Sequence, residues 1–124
     1  MDKNLPVGVI DSGVGGLSVL KVLQQALPHE DFLYIGDTAR TPYGQRPEKE
    51  IRAMVHDLTD YLDNAGIKLL VVACNTITVL GTESIRNGYV FDVVGMSKGA
   101  ELALGVTKNK KIGVMATPFT VASG

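Results

Sequence analysis

The single cysteine of this 124-residue sequence, Cys74, is the first candidate for chemistry. It follows an apolar run over residues 69–73 and precedes Asn75 and Thr76. Such a run predicts a strand buried on both faces of a parallel sheet, so Cys74 would lie at the strand's carboxyl end. The following residues predict a helix, and the free N–H groups at a helix N-terminus favour an anion such as a thiolate. A buried structural cysteine is the alternative; we favour a functional thiol because ligands bind at this edge of such sheets.

The second candidate is Asp11, which ends an apolar run over residues 6–10 and precedes a glycine-rich turn at 12–16. An acid at this point can act simply as a helix N-cap, and the sequence leaves that role open beside a functional one. A carboxylate close to Cys74 would favour the protonated thiol, whereas the helix N-terminus would favour the thiolate. The pair therefore suits an acid/base thiol, and no histidine stands at a spacing typical of a cysteine protease.

The residues beside these two are suited to binding a small ligand. Ser12 and Thr76 carry hydroxyls that can contact a carboxylate or an ammonium group, and Asn75 offers both a donor and an acceptor. The glycine-rich turn only weakly resembles a phosphate-binding loop, because the P-loop lysine and the GxGxxG spacing are missing. Its backbone can instead approach a ligand closely.

A polar loop over residues 38–47 is longer than a simple turn, and long loops at a strand edge often bind ligands. Within it, Tyr43 and Gly44 follow Pro42. A surface turn is as compatible with this pattern as a binding loop is. Arg40 could pair with Asp37 or contact a ligand carboxylate, and the sequence leaves both roles open.

Alternating strands and helices would position these residues. The predicted strands are 6–10, 32–35, 67–73, 90–94 and 111–116, and the predicted helices are 17–23, 48–65, 76–87 and 98–106. Their short connections predict an α/β fold with a doubly wound parallel sheet and right-handed crossovers. A flavodoxin-like strand order, 2-1-3-4, would make the strands that end at Asp11 and Cys74 neighbours. A fifth strand followed only by a turn at 117–120 leaves a sheet face without its covering helix, which is typical of a fragment.

Composition narrows the function classes. Lys and Arg number 12 and Asp and Glu 13, for a formal net charge of −1, so no basic excess points to nucleic acid or to an anionic membrane. No apolar run is long enough for a signal peptide or a membrane span, which favours a cytoplasmic protein. One cysteine cannot form an internal disulfide, and because His29 and His56 are isolated we expect no metal site.

Three motifs together resemble a known family. They are DSGVGGLSVL at 11–20, YIGDTARTPYGQRP at 34–47 and VVACNT at 71–76. In the same order and spacing they resemble the N-terminal signatures of bacterial glutamate racemase, within the aspartate/glutamate racemase superfamily. The resemblance implies a cofactor-independent cytoplasmic isomerase, commonly a homodimer, that interconverts L- and D-glutamate and supplies D-glutamate for peptidoglycan and cell shape. In that mechanism one thiolate removes the α-proton and a second thiol reprotonates the opposite face.

The resemblance also implies roles residue by residue. Cys74 matches the first thiol, Asp11 the carboxylate that assists it, and Asp37 a nearby assisting acid. The substrate-binding positions that match are Ser12, Pro42, Tyr43, Gly44, Asn75, Thr76, Thr117 and Thr120. The family pattern further implies a first α/β domain over residues 1–96 and the beginning of a second, similar domain over residues 97–124. The family's second cysteine is absent from this sequence, so we expect that the chain alone does not racemise.

Other functions stay open. An aspartate racemase or a one-cysteine decarboxylase of the same superfamily would share the fold, and the decarboxylase needs only one proton-donating thiol. A non-catalytic carboxylate-binding module would keep the fold without using Cys74. A site of hydroxyls and amides fits aspartate nearly as well as glutamate, so the choice of glutamate depends on the resemblance.

Overall fold

The structure, a computed structural model, describes residues 2–96 and 100–123. Its strands are β1 (Val7–Asp11), β2 (Phe32–Gly36), β3 (Leu69–Val72) and β4 (Asp92–Val94). Its helices are α1 (Gly16–Ala26), α2 (Glu48–Ala65), α3 (Asn75–Arg86), α4 (Ala100–Val106) and α5 (Pro118–Ser123). A 3₁₀ turn spans Tyr43–Gln45. Within the described ranges, no helix is both long enough and apolar enough to cross a membrane.

The four strands form one parallel sheet in the order β2-β1-β3-β4. This confirms the predicted α/β class and the flavodoxin-like strand order. In the register, Ile10 of β1 lies opposite Ile35 of β2 on one side and Val72 of β3 on the other. The carboxyl ends of the two central strands therefore lie side by side, which brings Asp11 and Cys74 to the same edge of the sheet.

The core is divided between the two faces of the sheet because side chains alternate along each strand. Ile10 and Val72 belong to the larger cluster, with buried side chains of α2 and α3. Val9 and Val71 belong to a smaller cluster that packs against α1. Strands that are buried on both faces read as continuous apolar runs, which is why the sequence allowed their positions to be predicted.

Helix α2 is amphipathic and has the bounds that its apolar spacing predicts. Ile51, Val55, Leu58 and Leu62 are buried at spacings of three and four residues. The helix ends at Ala65 and its C-cap is Gly66, which has φ of +87°, a left-handed conformation that glycine adopts at little cost. Helix α2 thus covers one face of the sheet, and the loop over residues 38–47 leads directly into it.

Several other predicted bounds differ by a few residues. Strand β3 begins at Leu69 rather than at residue 67, and β4 is limited to Asp92–Val94. Helix α3 is interrupted at Gly81, whose φ of +115° is not helical. The predicted helix 98–106 is helical over Ala100–Val106, and residues 98 and 99 lie outside the described ranges.

The predicted strand over residues 111–116 is wrong. These residues have no regular structure and all of them are exposed, with Val114 at 73% and Met115 at 101%. Apolar and β-branched residues form a strand only where a neighbouring strand supplies hydrogen bonds and a face to bury. The segment pairs with none of the four described strands. The predicted turn at 117–120 is also wrong, because helix α5 begins at Pro118.

Candidate active site

Cys74 lies between the end of β3 and the first residue of α3. It is the N-cap residue of α3, has an extended backbone and is only 7% exposed. Its carbonyl oxygen accepts hydrogen bonds from the backbone N–H of Thr78, at 3.0 Å, and from the Thr78 hydroxyl, at 2.8 Å. The thiol therefore lies at the N-terminus of α3, and Thr78 fixes the backbone that carries it.

The thiol lies next to the end of the neighbouring strand. Cys74 Sγ donates a hydrogen bond to Ser12 Oγ over 3.6 Å. The strands stay joined up to this point, since the Ala73 N–H donates to the Ile10 carbonyl at 2.9 Å. Two residues 62 positions apart in the sequence therefore meet because β1 and β3 are adjacent and parallel.

Asp11 is buried, at 5% exposure, and contacts the start of α1. Its Oδ2 accepts a hydrogen bond from the Gly16 N–H at 2.8 Å. A Cβ at residue 16 would lie 2.8 Å from the Cβ of Asp11 and 3.1 Å from that of Ala73, so only glycine fits there without displacement. The carboxylate thus binds the first N–H of α1 without being its N-cap, which is Gly15, and it also adjoins the thiol-bearing strand.

Tyr34 is a site residue that the sequence reasoning missed. Its hydroxyl donates to the Gly13 carbonyl at 3.0 Å and lies 3.4 Å from Asp11 Oδ2. Burial, the charge of Asp11 and its hydrogen bond raise the pKa of Tyr34 to about 12. The parallel register offers a signal: Tyr34 pairs with Val9, two residues before Asp11, so alternation puts all three side chains on one face.

The glycine-rich turn packs closely on the end of β2. A Cβ at Gly36 would lie 2.0 Å from the Gly13 carbonyl oxygen, a distance that no side chain can adopt without moving the backbone. The Asp37 N–H donates to the Asp11 carbonyl at 3.1 Å just beyond this point. The glycine-rich turn is thus held in place by its close contact with Gly36 and by the hydrogen bond from the Tyr34 hydroxyl.

A second acid, Asp37, is 8% exposed and occupied by partners from its own loop. Its Oδ2 accepts hydrogen bonds from Arg40 Nε, at 2.6 Å, and from the Tyr43 hydroxyl. Of the two roles open to Arg40 from the sequence, the structure therefore contains the pair with Asp37. Burial, followed by the hydrogen bond and charge of Asp37, raises the pKa of Tyr43.

A row of threonine hydroxyls connects α3 to α5. Thr76, 4% exposed, shares a hydrogen bond of 2.8 Å with Thr117, which shares another of 3.1 Å with Thr120. Thr117 also lies directly over Gly44, where a Cβ would approach the Thr117 Cβ to 2.2 Å. Helix α5 can therefore approach the 3₁₀ turn only because residue 44 has no side chain.

The structure gathers most of the predicted site residues into three groups along one edge. The thiol group is Asp11, Ser12 and Cys74; the hydroxyl group is Gly44, Thr76, Thr117 and Thr120; the loop group is Asp37 and Tyr43. Pro42 and Asn75 are exposed. Across the described residues, no three His, Cys, Asp or Glu side chains are grouped so that they could hold a metal ion.

A thiol, a carboxylate and several hydroxyls at the carboxyl edge of a doubly wound sheet form the arrangement of an α/β domain that binds a small polar ligand at its strand ends. No family model matches the chain. Among curated relatives, the glutamate racemase of Exiguobacterium sibiricum is 46% identical over 121 residues, which are 97% of this chain and 45% of the relative.

Solved structures agree with the sequence comparison. Glutamate racemase from Thermus thermophilus, in complex with β-chloro-D-alanine, matches with a TM-score of 0.86 and 41% identity over 100% of this chain and 48% of that one. Glutamate racemase from Francisella tularensis, in complex with D-glutamate, matches with a TM-score of 0.84 and 34% identity over 97% of this chain and 45% of that one. The chain is a homologue of the glutamate racemases. It spans about half the length of the curated relatives it matches, an extent that fits their N-terminal portion.

Proposed function

We propose that this chain is the N-terminal catalytic half of a glutamate racemase and that Cys74 is one of two acid/base thiols. The observation that carries the proposal is the position of the thiol: Cys74 is the N-cap of α3, and its Sγ is 3.6 Å from the Oγ of Ser12, which directly follows the adjoining strand β1. The similarity to a racemase solved with D-glutamate supports glutamate as the small-molecule substrate.

The proposed chemistry begins with a proton transfer at Cys74. As a thiolate, Cys74 accepts the α-proton of one glutamate enantiomer, so a C–H bond breaks and an S–H bond forms. A second thiol, which the family resemblance implies and this sequence lacks, donates a proton to the opposite face of the α-carbon. In the reverse direction Cys74 is the donor. The Ser12 hydroxyl can form a hydrogen bond with either the thiol or the thiolate of Cys74, because a hydroxyl both donates and accepts.

Substrate contacts are proposed for the residues around the thiol. Asp11 assists Cys74, and Asp37 contributes through the loop that it holds. The proposed binding positions are Ser12, Pro42, Tyr43, Gly44, Asn75, Thr76, Thr117 and Thr120. Their hydroxyl, amide and backbone groups suit a carboxylate and an ammonium group, and the hydrogen bond between the Thr76 and Thr117 hydroxyls supports their grouping in one cleft.

The remaining parts of the proposal depend on the family resemblance. They are a first domain over residues 1–96 and the start of a second over residues 97–124, a homodimer as the assembly of the longer protein, and a cytoplasmic location. The biological role proposed with them is the supply of D-glutamate for peptidoglycan, and thus for cell-wall synthesis and cell shape.

Exchange of the α-proton with solvent tests the proposal directly. The chain is incubated in deuterium oxide with L-glutamate and separately with D-glutamate, and proton NMR follows loss of the α-proton signal. We expect exchange of one enantiomer without inversion, because one thiol serves one face of the α-carbon. Cys74→Ala should abolish the exchange while Cys74→Ser, a weak base of similar size, should leave at most a trace.

Matched experiments make the outcome specific. L- and D-aspartate are run in parallel, and exchange faster with aspartate than with glutamate would replace the proposed substrate by aspartate. Equal exchange by the unaltered chain and by Cys74→Ala would show that Cys74 is not the base. A folded chain that exchanges neither enantiomer would contradict the proposal that this half carries a working acid/base site.

A further inference from the structure

We propose that Arg40 is a positioning residue that fastens the loop 38–47 to helix α2 and so fixes the substrate-binding residues of that loop. The proposal rests on the proposed function, because it concerns the loop that would bind glutamate. It also gives Asp37 a different task from acid/base catalysis, namely to anchor Arg40 and Tyr43.

Arg40 joins two acids on different elements. Its Nε donates to Asp37 Oδ2 at 2.6 Å, and its Nη1 donates to Asp57 Oδ2 at 2.8 Å. Asp37 directly follows β2 and Asp57 lies on α2. The planar guanidinium can hold both acids at once, which a lysine ammonium on a flexible stem would do less well. We call these two ion pairs the Arg40 clasp.

The backbone of Arg40 carries a second connection. Its carbonyl accepts two hydrogen bonds from Arg46, from Nε at 3.0 Å and from Nη2 at 2.8 Å. Arg46 in turn pairs with Glu50 in the first part of α2. The two ends of the loop are therefore tied to each other and to the same helix, and the residues between them have little freedom to move.

The side chain of Tyr43 is what the clasp positions. Tyr43 is 1% exposed, and its hydroxyl donates to the same Asp37 oxygen that pairs with Arg40. Without Arg40, the Asp37 carboxylate would keep the neutral Tyr43 hydroxyl as a donor but would lose the positive charge that balances it. Asp37 is only 8% exposed, so water would not replace that charge. A buried carboxylate that loses its cation is strongly destabilised, so the loop should open to bring Asp37 to water. Gly44, on which α5 rests, would move with Tyr43.

The acids of the site thus differ in what they contact. Asp11 adjoins the residue that contacts the thiol and binds the N-terminus of α1. Asp37 holds a guanidinium and a phenol that belong to its own loop. This division explains why two acids at neighbouring strand ends need not share a catalytic role.

Chymotrypsin tests the clasp without any substrate, since it cleaves after tyrosine and Tyr43 is enclosed by the clasped loop. We expect Arg40→Met to raise the rate of cleavage between Tyr43 and Gly44 at least about tenfold. Asp57→Asn should raise it only about two- to fivefold, because Asp57 is 68% exposed and exposed pairs contribute little. In the double variant, Asp57→Asn should add nothing further, since Arg40 is already absent.

Control variants on the same helix separate the clasp from loss of a surface charge. Asp63→Asn removes an exposed acid of α2, and Arg52→Met removes a pair with Glu48 together with hydrogen bonds to Ser84 and the Leu80 carbonyl of α3; both should leave cleavage at Tyr43 unchanged. Cleavage after Tyr61, on the exposed face of α2, reports general unfolding in every sample. Unchanged cleavage at Tyr43 in Arg40→Met would overturn the proposal.

The substrate part is tested with the α-proton exchange assay. For Arg40→Met we expect the glutamate concentration that gives half-maximal exchange to rise about tenfold, with the maximal rate changed less than about twofold, as for loss of uniform binding. A lower maximal rate at unchanged half-saturation would place Arg40 or Asp37 in the proton transfer and overturn the positioning role. An unchanged glutamate concentration for half-maximal exchange would also overturn the positioning role. If the unaltered chain exchanges no glutamate, the proposed function fails, whereas the protease experiment still decides the clasp.

Discussion

Replacing Gly44 by alanine should detach helix α5 from the site. A Cβ at residue 44 would stand 2.2 Å from Thr117 Cβ, 2.5 Å from its Cγ2 and 2.6 Å from its Oγ1. Ordinary contacts between such atoms begin near 3.4 Å, so one of the two segments must move by about 1 Å or more. The backbone at residue 44 itself tolerates alanine, since its φ is not positive. The cost therefore comes from the collision with Thr117 alone.

The free-energy cost of Gly44→Ala follows from the contacts that this movement breaks. Overpacking of this kind costs about 1–3 kcal/mol, and the 2.8 Å hydrogen bond between Thr76 and Thr117 contributes about 1 kcal/mol. Because residue 44 stays folded when α5 opens, these two terms add, and opening of α5 should become easier by about 2–4 kcal/mol, or about 30- to 900-fold in exchange rate.

Hydrogen exchange followed by mass spectrometry measures this opening at the Val121 N–H, which donates to the Thr117 carbonyl at 3.0 Å. Gly105→Ala is the matched control, because a Cβ there meets nothing within 4 Å. In a Thr117→Gly background, Gly44→Ala should cause no further opening of α5, since the colliding Cβ is gone. In a Thr117→Ala background, which keeps that atom, Gly44→Ala should still cause it. Unchanged exchange at α5 in Gly44→Ala would refute the reasoning.

Three further expectations concern the glycine-rich turn. Tyr34→Phe loses the hydrogen bond to Gly13 and should lower the free energy of unfolding in urea by about 1 kcal/mol; equal stability would show that the hydroxyl holds nothing. The pKa of Tyr34 is raised from 10.0 to about 12, so the proton stabilises the folded chain fully below pH 10 and this contribution is lost as the pH rises to about 12. Denaturation between these pH values should show that loss, and Tyr34→Phe should show less of it. Gly36→Ala should cost about 1–3 kcal/mol in the same assay because its Cβ would lie 2.0 Å from the Gly13 carbonyl oxygen, whereas Gly113→Ala, with open space around it, should not.

The sheet could be predicted because its central strands are buried on both faces. Continuous apolar runs before Asp11 and Cys74 mark such strands, and right-handed crossovers leave few strand orders to choose from. Since parallel strands end at one edge, the same reasoning brings an acid and a thiol together from residues far apart in the sequence. The edge of the sheet and its two main residues therefore follow from local patterns and one topological rule.

The strand predicted over residues 111–116 is wrong for a physical reason. Its residues have the composition of a strand, but composition gives only a preference for a half-buried pleated surface. Residues 111–116 lie exposed, and the sheet ends at the three residues of β4. Whether an apolar segment becomes a strand is decided by a partner edge, which local sequence does not specify.

Side-chain partners could be predicted only where the chain brings them close in sequence. Asp37 and Arg40 are three residues apart, so the sequence offers their ion pair as one of two roles for Arg40. Asp57 reaches Arg40 from 17 residues away, through a helix whose rotation is set by packing against the sheet. Tyr34 reaches Asp11 through the strand register, which becomes known only when the strand order is.

The two buried acids of the site have different partners because of their places in the sheet. Asp11 is the last residue of β1, Asp37 directly follows β2, and each precedes a loop, so the local sequence does not distinguish them. They differ because Asp11 adjoins the strand that carries Cys74, whereas Asp37 follows the edge strand β2. At the edge, the acid is reached by Arg40 and Tyr43 from its own loop, and its charge is balanced there. Strand order thus separates an acid that can assist the thiol from an acid that holds a loop.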